Sequence, residues 1–319
     1  MKKILLVKTS SLGDVVHNLP VASDVSAAIP DSRIDWVVEE AYAAVPRLHR
    51  AVRHVLPVAI RRWRRSLLAG ATRREIGCFL RELRGEDYDA VVDTQGLLKS
   101  ALIAFAARGT SHGLDWKSSR EPLALFYDRT ISVPWTSHAV ERNRALAARA
   151  LAYEAPVAVD FGVRVAAGDF AWRASGPYTI LLHATSQPRK LWPERCWVEL
   201  GHLLAASGRQ CVLPWLGSGE RARSERLACE IPGAVVPPAL VLADAAALLA
   251  GAAGVAGVDT GLTHLAGALR VPTVGIYCAT DPGATGLYGC ARALNLGGIG
   301  RPPAPREVSG ALERLMGES

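Results

Sequence analysis

The chain has 319 residues, which is too many for one ordinary α/β domain and suits two domains of about 150 residues each. Half of its residues are hydrophobic and 21% are charged, a balance that excludes global disorder and allows two sizeable cores. The formal net charge of +7 indicates an anionic partner, without choosing among nucleic acid, a membrane surface and a phosphorylated substrate.

Targeting and metal-binding patterns are missing from the sequence. The apolar run ILLV near the start is too short for the core of a signal peptide, and no run approaches the roughly 18 apolar residues of a spanning helix. None of the six cysteines pairs at C-x-x-C spacing, which argues against a zinc ribbon or a redox pair. We therefore expect a soluble, cytoplasmic protein for which contact with a membrane surface is possible.

The first half of the chain alternates short apolar runs with longer amphipathic segments. We predict strands at residues 2–10, 33–40, 53–59 and 88–96. We predict helices at residues 14–30, 41–49, 72–86, 97–108 and 138–154. Strands that alternate with helices indicate βαβ units and a parallel sheet.

The second half restarts the same pattern after a candidate linker at residues 155–170, whose apolar residues are small and scattered. We predict strands at residues 177–185, 210–217, 254–261 and 271–280. We predict helices at residues 196–208, 242–254, 262–270 and 306–319. The sequence thus predicts two Rossmann-like halves, in which ligands lie at the carboxyl ends of the strands.

The first candidate loop, KTSSLGD, follows the first strand. Gly13 is expected to allow a tight turn, and Asp14 stands where the next helix begins. In one interpretation Ser11 or Asp14 caps that helix. In the other, Asp14 is a general base, since an aspartate with an ordinary pKa near 4 is ionised at neutral pH.

The second candidate loop, HATSQPRKLWP, also leaves a strand. Thr185 and Ser186 offer hydroxyl donors and Lys190 offers a compact cation, a set that suits a diphosphate. An exposed polar loop beside a packed Trp192 is the alternative.

The third candidate is the segment VDTGLTHLAG. Asp259 ends a strand, Thr260 and Gly261 turn, and the free N–H groups of the following helix favour a phosphate. His264 could add a donor there. An ordinary strand–helix connection with a structural histidine remains the alternative.

The fourth candidate is the run RRWRR, with Arg61, Arg62, Arg64 and Arg65 around Trp63. Arginine suits forked contacts to carboxylate and phosphate, but a solvated basic surface has the same pattern.

Asp87 and Asp89 could be mistaken for a metal-binding pair, yet they precede a strand, the wrong end for a ligand. We expect no metal site, and P-loop and zinc-protease motifs are missing.

Together these loops resemble the lipopolysaccharide heptosyltransferases of glycosyltransferase family 9, over nearly the whole chain to about Gly289. The resemblance is carried by the segments VKTSSLGDVVHNLP, DWVVEE, PVAIRRWRR, YDAVVDTQGLLKSA, REPLALFY, HAVER, KLWPE and VDTGLTHLAGAL. The segments IRRWRR and HAVER indicate the first heptosyltransferase rather than the second.

The resemblance implies a GT-B fold, in which two Rossmann-like domains with parallel sheets face a central cleft. Residues 1–160 would bind the acceptor and residues 161–319 the nucleotide sugar, and the last helix, at about residues 305–319, could pack on the N-terminal domain. The resemblance makes Asp14 and Lys190 the catalytic residues. The nucleotide-sugar site would be formed by Thr185, Ser186, Lys190, Glu220, Leu240, Asp259, Thr260, Gly261, Leu262 and His264. The acceptor site would be formed by Ser11, Gly13, Arg61, Arg62, Arg64, Arg65 and Arg120.

The implied activity is inverting transfer of heptose from ADP-L-glycero-β-D-manno-heptose to the inner Kdo of Kdo2-lipid A, without metal or cofactor. The implied setting is a monomer attached peripherally to the anionic cytoplasmic face of the inner membrane of a Gram-negative cell, with no nucleic-acid partner. Two alternatives stay open: another GT-B transferase, either heptosyltransferase II-like or UDP-sugar dependent, and a non-catalytic nucleotide-binding module. No role is carried over to Arg189 or to the segment after Gly289.

Overall fold

The computed structural model describes residues 1–172 and 176–317, which form two compact units, Met1–Arg164 and Val165–Ser319. Each unit is a parallel sheet with helices packed on it. The predicted α/β class with two Rossmann-like halves is therefore confirmed.

The first unit contains six strands and seven α-helices. The strands are β1 (Lys3–Val7), β2 (Arg33–Glu39), β3 (Val52–Val58), β4 (Ala90–Asp93), β5 (Ser111–Leu114) and β6 (Arg129–Ile131). The helices are α1 (Leu12–His17), α2 (Leu19–Ala28), α3 (Ala44–Arg47), α4 (Ile60–Trp63), α5 (Gly70–Leu83), α6 (Leu98–Ala106) and α7 (Ala139–Leu151).

The sheet of the first unit has the order β3-β2-β1-β4-β5-β6, the arrangement of a doubly wound fold. Strand β1 is central: Leu5 stands opposite Asp35 of β2 on one side and Val91 of β4 on the other. Its apolar run is buried on both faces, as expected for a parallel strand between two helix layers. The strand order reverses between β1 and β4, which is where such folds bind ligands.

The described residues of the second unit form five strands and six α-helices. The strands are β7 (Tyr178–Leu182), β8 (Gln210–Val212), β9 (Gly254–Val258), β10 (Thr273–Tyr277) and β11 (Ala293–Gly297). The helices are α8 (Glu194–Ala206), α9 (Ser218–Glu230), α10 (Leu242–Ala250), α11 (Gly261–Ala268), α12 (Pro282–Thr285) and α13 (Pro305–Gly317).

The second sheet has the order β11-β10-β9-β7-β8, so its order reverses between β7 and β9. Helix α13 packs on α8 and β10, and Val308, Ala311, Leu312 and Leu315 are buried in that core. The indole of Trp192 is also buried there and donates to the Pro303 carbonyl at 3.1 Å. The last helix is therefore part of the core of the second unit.

Two predicted helices have the wrong extent, and several elements of the structure were not predicted. The helix expected at residues 14–30 is divided at Asn18 into α1 and α2, with Pro20 in the first turn of α2, where its missing N–H costs nothing. The helix expected at residues 41–49 is a 3₁₀ turn followed by the short α3. Strands β5, β6 and β11 and helices α4, α9 and α12 were not predicted. Strands β5 and β6 and helices α4 and α12 have only three or four residues, α9 is rich in charged residues, and β11 is mostly exposed.

Among the described residues, no helix is both long enough and apolar enough to cross a bilayer.

Candidate active site

In the first unit, the loops that follow β1 and β4 meet where the strand order reverses. The Gln95 side-chain carbonyl accepts from the backbone N–H groups of Thr9 and Ser10, both at 3.0 Å. The Lys99 ammonium donates to the Ser10 hydroxyl. These contacts fix the KTSSLGD loop against the start of α6, at the position where the fold predicts a ligand.

Asp14 lies in the first turn of α1 and is half-buried. Its Oδ2 accepts from the Ser11 N–H at 2.7 Å and from the Ser11 hydroxyl at 2.9 Å, so the capping interpretation describes its contacts. Both bonds fall on Oδ2, which leaves Oδ1 as the oxygen that could accept a further proton. Gly13 lies inside α1, so the tight turn predicted at this glycine is wrong.

Buried and half-buried lysines stand close to Asp14. Burial lowers the pKa of Lys8, the nearby carboxylates of Asp14 and Asp93 oppose that shift, and Arg142 and Arg120 reinforce it. Its ammonium donates to the Thr94 carbonyl at 2.6 Å and to the Asn143 side chain at 3.2 Å. Lys8 is thus an enclosed cation beneath the Asp14 loop.

Lys99 forms the opposite side of the same cluster. Burial lowers its pKa, while Glu39 and Asp14 raise it and Arg61 and Arg64 lower it further. Lys8, Lys99 and Arg142 were not predicted as site residues. Lys8 directly follows β1, so its position at a strand end was a signal. Lys99 lies in the first turn of α6 and Arg142 in the first turn of α7, within the segment HAVER that carried the resemblance.

The arginines of the RRWRR run differ in their partners. Arg61 donates to the Tyr42 hydroxyl at 2.8 Å and lies over the Tyr42 ring at 5.2 Å, and its backbone N–H donates to Glu39. Arg62 is engaged by the carboxylates of Glu40 at 3.1 Å and Glu75 at 2.8 Å, and it lines a groove of about 600 Å³ beside α5. Its charge is therefore already paired.

The remaining predicted acceptor arginines are exposed. Arg64 and Arg65 lie directly after α4. Arg120 lies 5.7 Å from the centre of the Trp135 ring, which Arg142 covers more closely, at 3.7 Å. Trp135 thus holds two arginines side by side, and both act electrostatically on Lys8.

In the second unit, the Asp259 carboxylate connects the loops that follow β7 and β9. Lys190 Nζ lies 2.7 Å from its Oδ2, the Thr280 hydroxyl donates to the same oxygen at 2.7 Å, and His264 Nε2 lies 3.4 Å from Oδ1. Burial alone would raise the pKa of Asp259, but hydrogen bonds from His264, Lys190 and Thr280 hold it well below its usual range. The carboxylate is therefore ionised and fully engaged.

The predicted phosphate-binding hydroxyls lie beside this carboxylate. The Thr185 hydroxyl donates to the Asp259 backbone carbonyl at 3.3 Å, and Ser186 is exposed on the same loop. The loop then makes a 3₁₀ turn, Pro188–Lys190, which carries Lys190 back towards Asp259. Arg189 on that turn is exposed and donates to Gln187.

Helix α11 begins at Gly261, directly after Asp259 and Thr260. Its first N–H groups point away from the helix body, so they and the helix dipole favour an anion there. Leu262 is half-buried, and the Thr263 hydroxyl donates to the Val258 carbonyl at 2.7 Å. A Cβ on Gly257 would stand 2.1 Å from that hydroxyl, so this strand end requires glycine.

Glu220 and Leu240 lie farther along the same unit. The Glu220 carboxylate accepts from the Leu216 N–H at 2.7 Å in the first turn of α9, and Gly217 with φ +86° makes the preceding turn. Leu240 is half-buried just before α10. Both follow the edge strand β8, so the resemblance, rather than the hydrogen bonding, is what assigns them to a nucleotide.

Among residues 1–172 and 176–317, no group of three or more His, Cys, Asp or Glu side chains could hold a metal ion. The residues around Asp259 instead offer a lysine, hydroxyls and a helix N-terminus, and such donors can hold a diphosphate directly.

The chain is similar in sequence and in structure to known proteins. Residues 76–309 match the family model Glycosyltransferase family 9 (heptosyltransferase). A lipopolysaccharide heptosyltransferase 1 of Pseudomonas aeruginosa is 47% identical over 293 residues, which are 90% of this chain and 81% of that protein.

Two solved structures of the Escherichia coli heptosyltransferase WaaC are also similar. The structure with ADP has a TM-score of 0.89 at 41% identity and covers 98% of this chain and 99% of its own. The structure with ADP-2-deoxy-2-fluoro heptose has a TM-score of 0.83 at 40% identity and covers 99% of each chain. This likeness extends over both units and confirms the GT-B fold class. The chain therefore belongs to glycosyltransferase family 9, the heptosyltransferases.

Proposed function

We propose that this heptosyltransferase moves L-glycero-D-manno-heptose from ADP-L-glycero-β-D-manno-heptose to the inner Kdo of Kdo2-lipid A, in synthesis of the lipopolysaccharide core. The donor is supported by the WaaC structures that contain ADP and an ADP-heptose analogue. The transfer step is supported by the identity to a lipopolysaccharide heptosyltransferase 1.

The observation that carries the proposal is the excess of cations around Asp14. Six cationic side chains interact electrostatically with one another or with Asp14, and three carboxylates partly offset their charge. The cations are Lys8, Lys99, Arg61, Arg64, Arg120 and Arg142, and the carboxylates are Asp14, Asp93 and Glu39. A neutral sugar acceptor would leave much of this charge uncompensated. An acceptor with a Kdo carboxylate and lipid A phosphates supplies the missing anions.

In the proposed mechanism, Asp14 takes the proton of the attacking Kdo hydroxyl as the new glycosidic bond forms. The Ser11 bonds hold Oδ2, so Oδ1 accepts the proton. Attack on the anomeric carbon from the face opposite the departing ADP breaks the C1–O bond to the β-phosphate. This single displacement inverts the anomeric centre.

The leaving diphosphate gains charge as that bond breaks. Lys190, the Thr185 and Ser186 hydroxyls and the N-terminus of α11 are the donors proposed to stabilise it. Asp259 orients the lysine, because its carboxylate contacts Nζ and leaves two N–H groups for phosphate oxygens. A well-aimed donor of this kind contributes roughly 3–4 kcal/mol to the transition state.

We propose that these donors stabilise the leaving group without a metal or cofactor, and that the enzyme works as a monomer at the cytoplasmic face of the inner membrane. Turnover is expected to be unchanged in excess EDTA. Abolition by the chelator, with rescue by magnesium, would contradict the metal-free mechanism.

The experiment that tests the activity incubates the protein with ADP-heptose and Kdo2-lipid A and measures the lipid by mass spectrometry. One added heptose is expected. Calorimetry with ADP and with UDP distinguishes the alternative donors, and ADP binding without any transfer would identify a non-catalytic nucleotide-binding module instead.

A further inference from the structure

Helix α6 exposes an unusual line of large apolar side chains. Leu98, Leu102 and Phe105 recur at the spacing of one helix face and are 47%, 49% and 70% exposed. The opposite face, including Ala101, Ile103 and Ala104, is buried in the sheet core. An amphipathic helix is expected to expose polar residues, so this outer face is a departure from the rule.

A neighbouring turn extends this apolar face. Leu125 is 84% exposed on the 3₁₀ turn Ala124–Phe126, which contacts α6, and the rings of Phe105 and Phe126 pack edge to face at 6.5 Å. The Leu98 backbone N–H donates to Glu121 at 2.7 Å, which ties the same turn region to the start of the helix. We call Leu98, Leu102, Phe105 and Leu125 the apolar stripe.

The surroundings of the apolar stripe are basic. Helices α4, α5 and α6 cover the same face of the sheet, since Trp63, Phe79 and Ala101 belong to one core. Exposed arginines on this helix layer and on the loops next to it are Arg61, Arg62, Arg64, Arg65, Arg73, Arg74, Arg81, Arg84 and Arg108. Of these, Arg62 is paired with Glu40 and Glu75, and Arg108 lies near Asp87. The Arg84 guanidinium donates to the Ala106 carbonyl at 2.8 Å, which places one of them at the end of the stripe.

The loop between α4 and α5 adds two more exposed apolar residues to this layer. Leu67 and Leu68 are 54% and 84% exposed and stand between the arginines of α4 and those of α5. Exposed apolar side chains among arginines are typical of segments that lie in a bilayer interface, where the apolar groups reach the acyl region and the cations meet anionic headgroups.

We propose that the apolar stripe and the surrounding arginines are the surface by which this protein docks on an anionic lipid bilayer. The inference deepens the proposed function, because a lipid-linked acceptor is presented at such a surface. The apolar stripe also begins beside Lys8, Lys99 and Asp14, which we call the Asp14 cluster. Leu98 directly precedes Lys99, whose ammonium contacts Ser10. Docking along α6 would therefore place the Asp14 cluster at the headgroup level.

The test is sedimentation of the full chain with vesicles of phosphatidylethanolamine containing about one quarter phosphatidylglycerol, with no acceptor present. The wild-type protein is expected to bind, and to bind weakly to pure phosphatidylcholine. Raising the salt from about 0.05 M to about 0.5 M should weaken binding, since the Debye length shortens.

The decisive variant is the double substitution Leu102→Ser with Phe105→Ser. It is expected to reduce vesicle partitioning by about tenfold or more, because two apolar side chains that would be buried in the bilayer are replaced by polar ones. Leu125→Ser tests the same surface on a different element. Val157→Ser is the matched control, because Val157 is 100% exposed and lies outside the stripe, and its binding should equal wild type. ADP affinity and the unfolding transition report whether each variant is folded.

The outcomes separate this inference from the proposed activity. Transfer to a deacylated, water-soluble acceptor should be the same in the stripe variants and in wild type, whereas transfer to vesicle-bound acceptor should fall. Wild-type vesicle binding by both stripe variants would overturn the docking surface while leaving the activity intact. Binding only to vesicles that carry acceptor, or a concentration-dependent dimer that the variants abolish in place of vesicle binding, would also overturn it.

Discussion

The side-chain clusters around Asp14 in the first unit and around Asp259 in the second unit balance their charges in opposite ways. Around Asp259, one lysine, one histidine and one hydroxyl surround a buried carboxylate, so the charges compensate one another within the protein. Around Asp14, lysines and arginines outnumber carboxylates, and Arg61 and Arg64 are exposed.

This difference indicates two kinds of binding. The second unit carries a preformed donor set whose lysine is fixed before any ligand arrives. The first unit keeps an excess of positive charge that only an external anion can neutralise. Specificity for an anionic acceptor should therefore reside in the first unit, and stabilisation of the leaving group in the second.

The sharpest test of the comparison is Asp14→Asn. Asparagine keeps an oxygen for the two Ser11 bonds but cannot take a proton, so we expect turnover to fall by about a thousandfold, near 4 kcal/mol, with little change in stability. Steady-state kinetics and thermal unfolding check this. Ser11→Ala, which removes one capping bond and leaves the carboxylate, should lose far less turnover. If both variants lost turnover equally, Asp14 would be a cap and not a base.

The next effect is expected from Lys190→Ala in the second unit. Removing this donor should lower turnover by about two orders of magnitude, near 3 kcal/mol, because charge on the leaving diphosphate loses a partner. Arg189→Ala is the matched control, since the neighbouring arginine is exposed and donates only to Gln187 among the contacts that the described residues show. Near wild-type turnover of Lys190→Ala would remove the lysine from its role.

A smaller effect is expected when Arg61 and Arg64 are both changed to Gln. The KM for the lipid acceptor should rise by about tenfold, near 1.4 kcal/mol, while the affinity for ADP-heptose stays unchanged. Arg62→Gln should raise KM less, because Glu40 and Glu75 already engage Arg62. Equal weakening of donor and acceptor binding would refute the division of labour between the units.

The smallest effect concerns acid stability. The pKa of Asp259 is held below its usual range, so the native state keeps this group ionised while the unfolded chain takes up a proton as the pH falls through about 4. Stability from this group is fully present above that pH and is lost below it. Between pH 7 and pH 4 the loss is about 0.3 kcal/mol. Urea unfolding of wild type and Asp259→Asn at both pH values should differ by this amount, and identical pH slopes would contradict it.

The sequence predicted the fold best where apolar runs were long. Strands β1, β7, β9 and β10 are mainly apolar and almost fully buried, and β2 carries the buried apolar stretch Trp36, Val37 and Val38. Each of these five strands was predicted. Strand β6 has three residues, mostly exposed, and α9 buries only Ser224 and Leu227 among many charged residues. Neither leaves a periodic pattern, because contacts from the rest of the unit determine them.

The candidate site was predictable in its loops but not in its pairings. Asp14, Lys190 and Asp259 each follow a strand, so topology brings them to the ligand-binding edge of a sheet. That Lys190 binds Asp259, or that Glu40 and Glu75 engage Arg62, depends on distances across loops that spacing does not give. Lys8 was overlooked because its burial is a tertiary property.

The bond from the Trp192 indole to the Pro303 carbonyl has a practical consequence for engineering. Trp192 lies two residues after Lys190 and packs edge to face on Trp197 at 5.0 Å. The segment at Pro303 therefore supports the loop that carries Lys190, although the two are more than a hundred positions apart in the sequence. A truncation ahead of Pro303 removes this acceptor together with the buried residues of α13, so it should lower the stability of the second unit as well as release the loop that carries Lys190. Tags are therefore better attached at the opposite terminus.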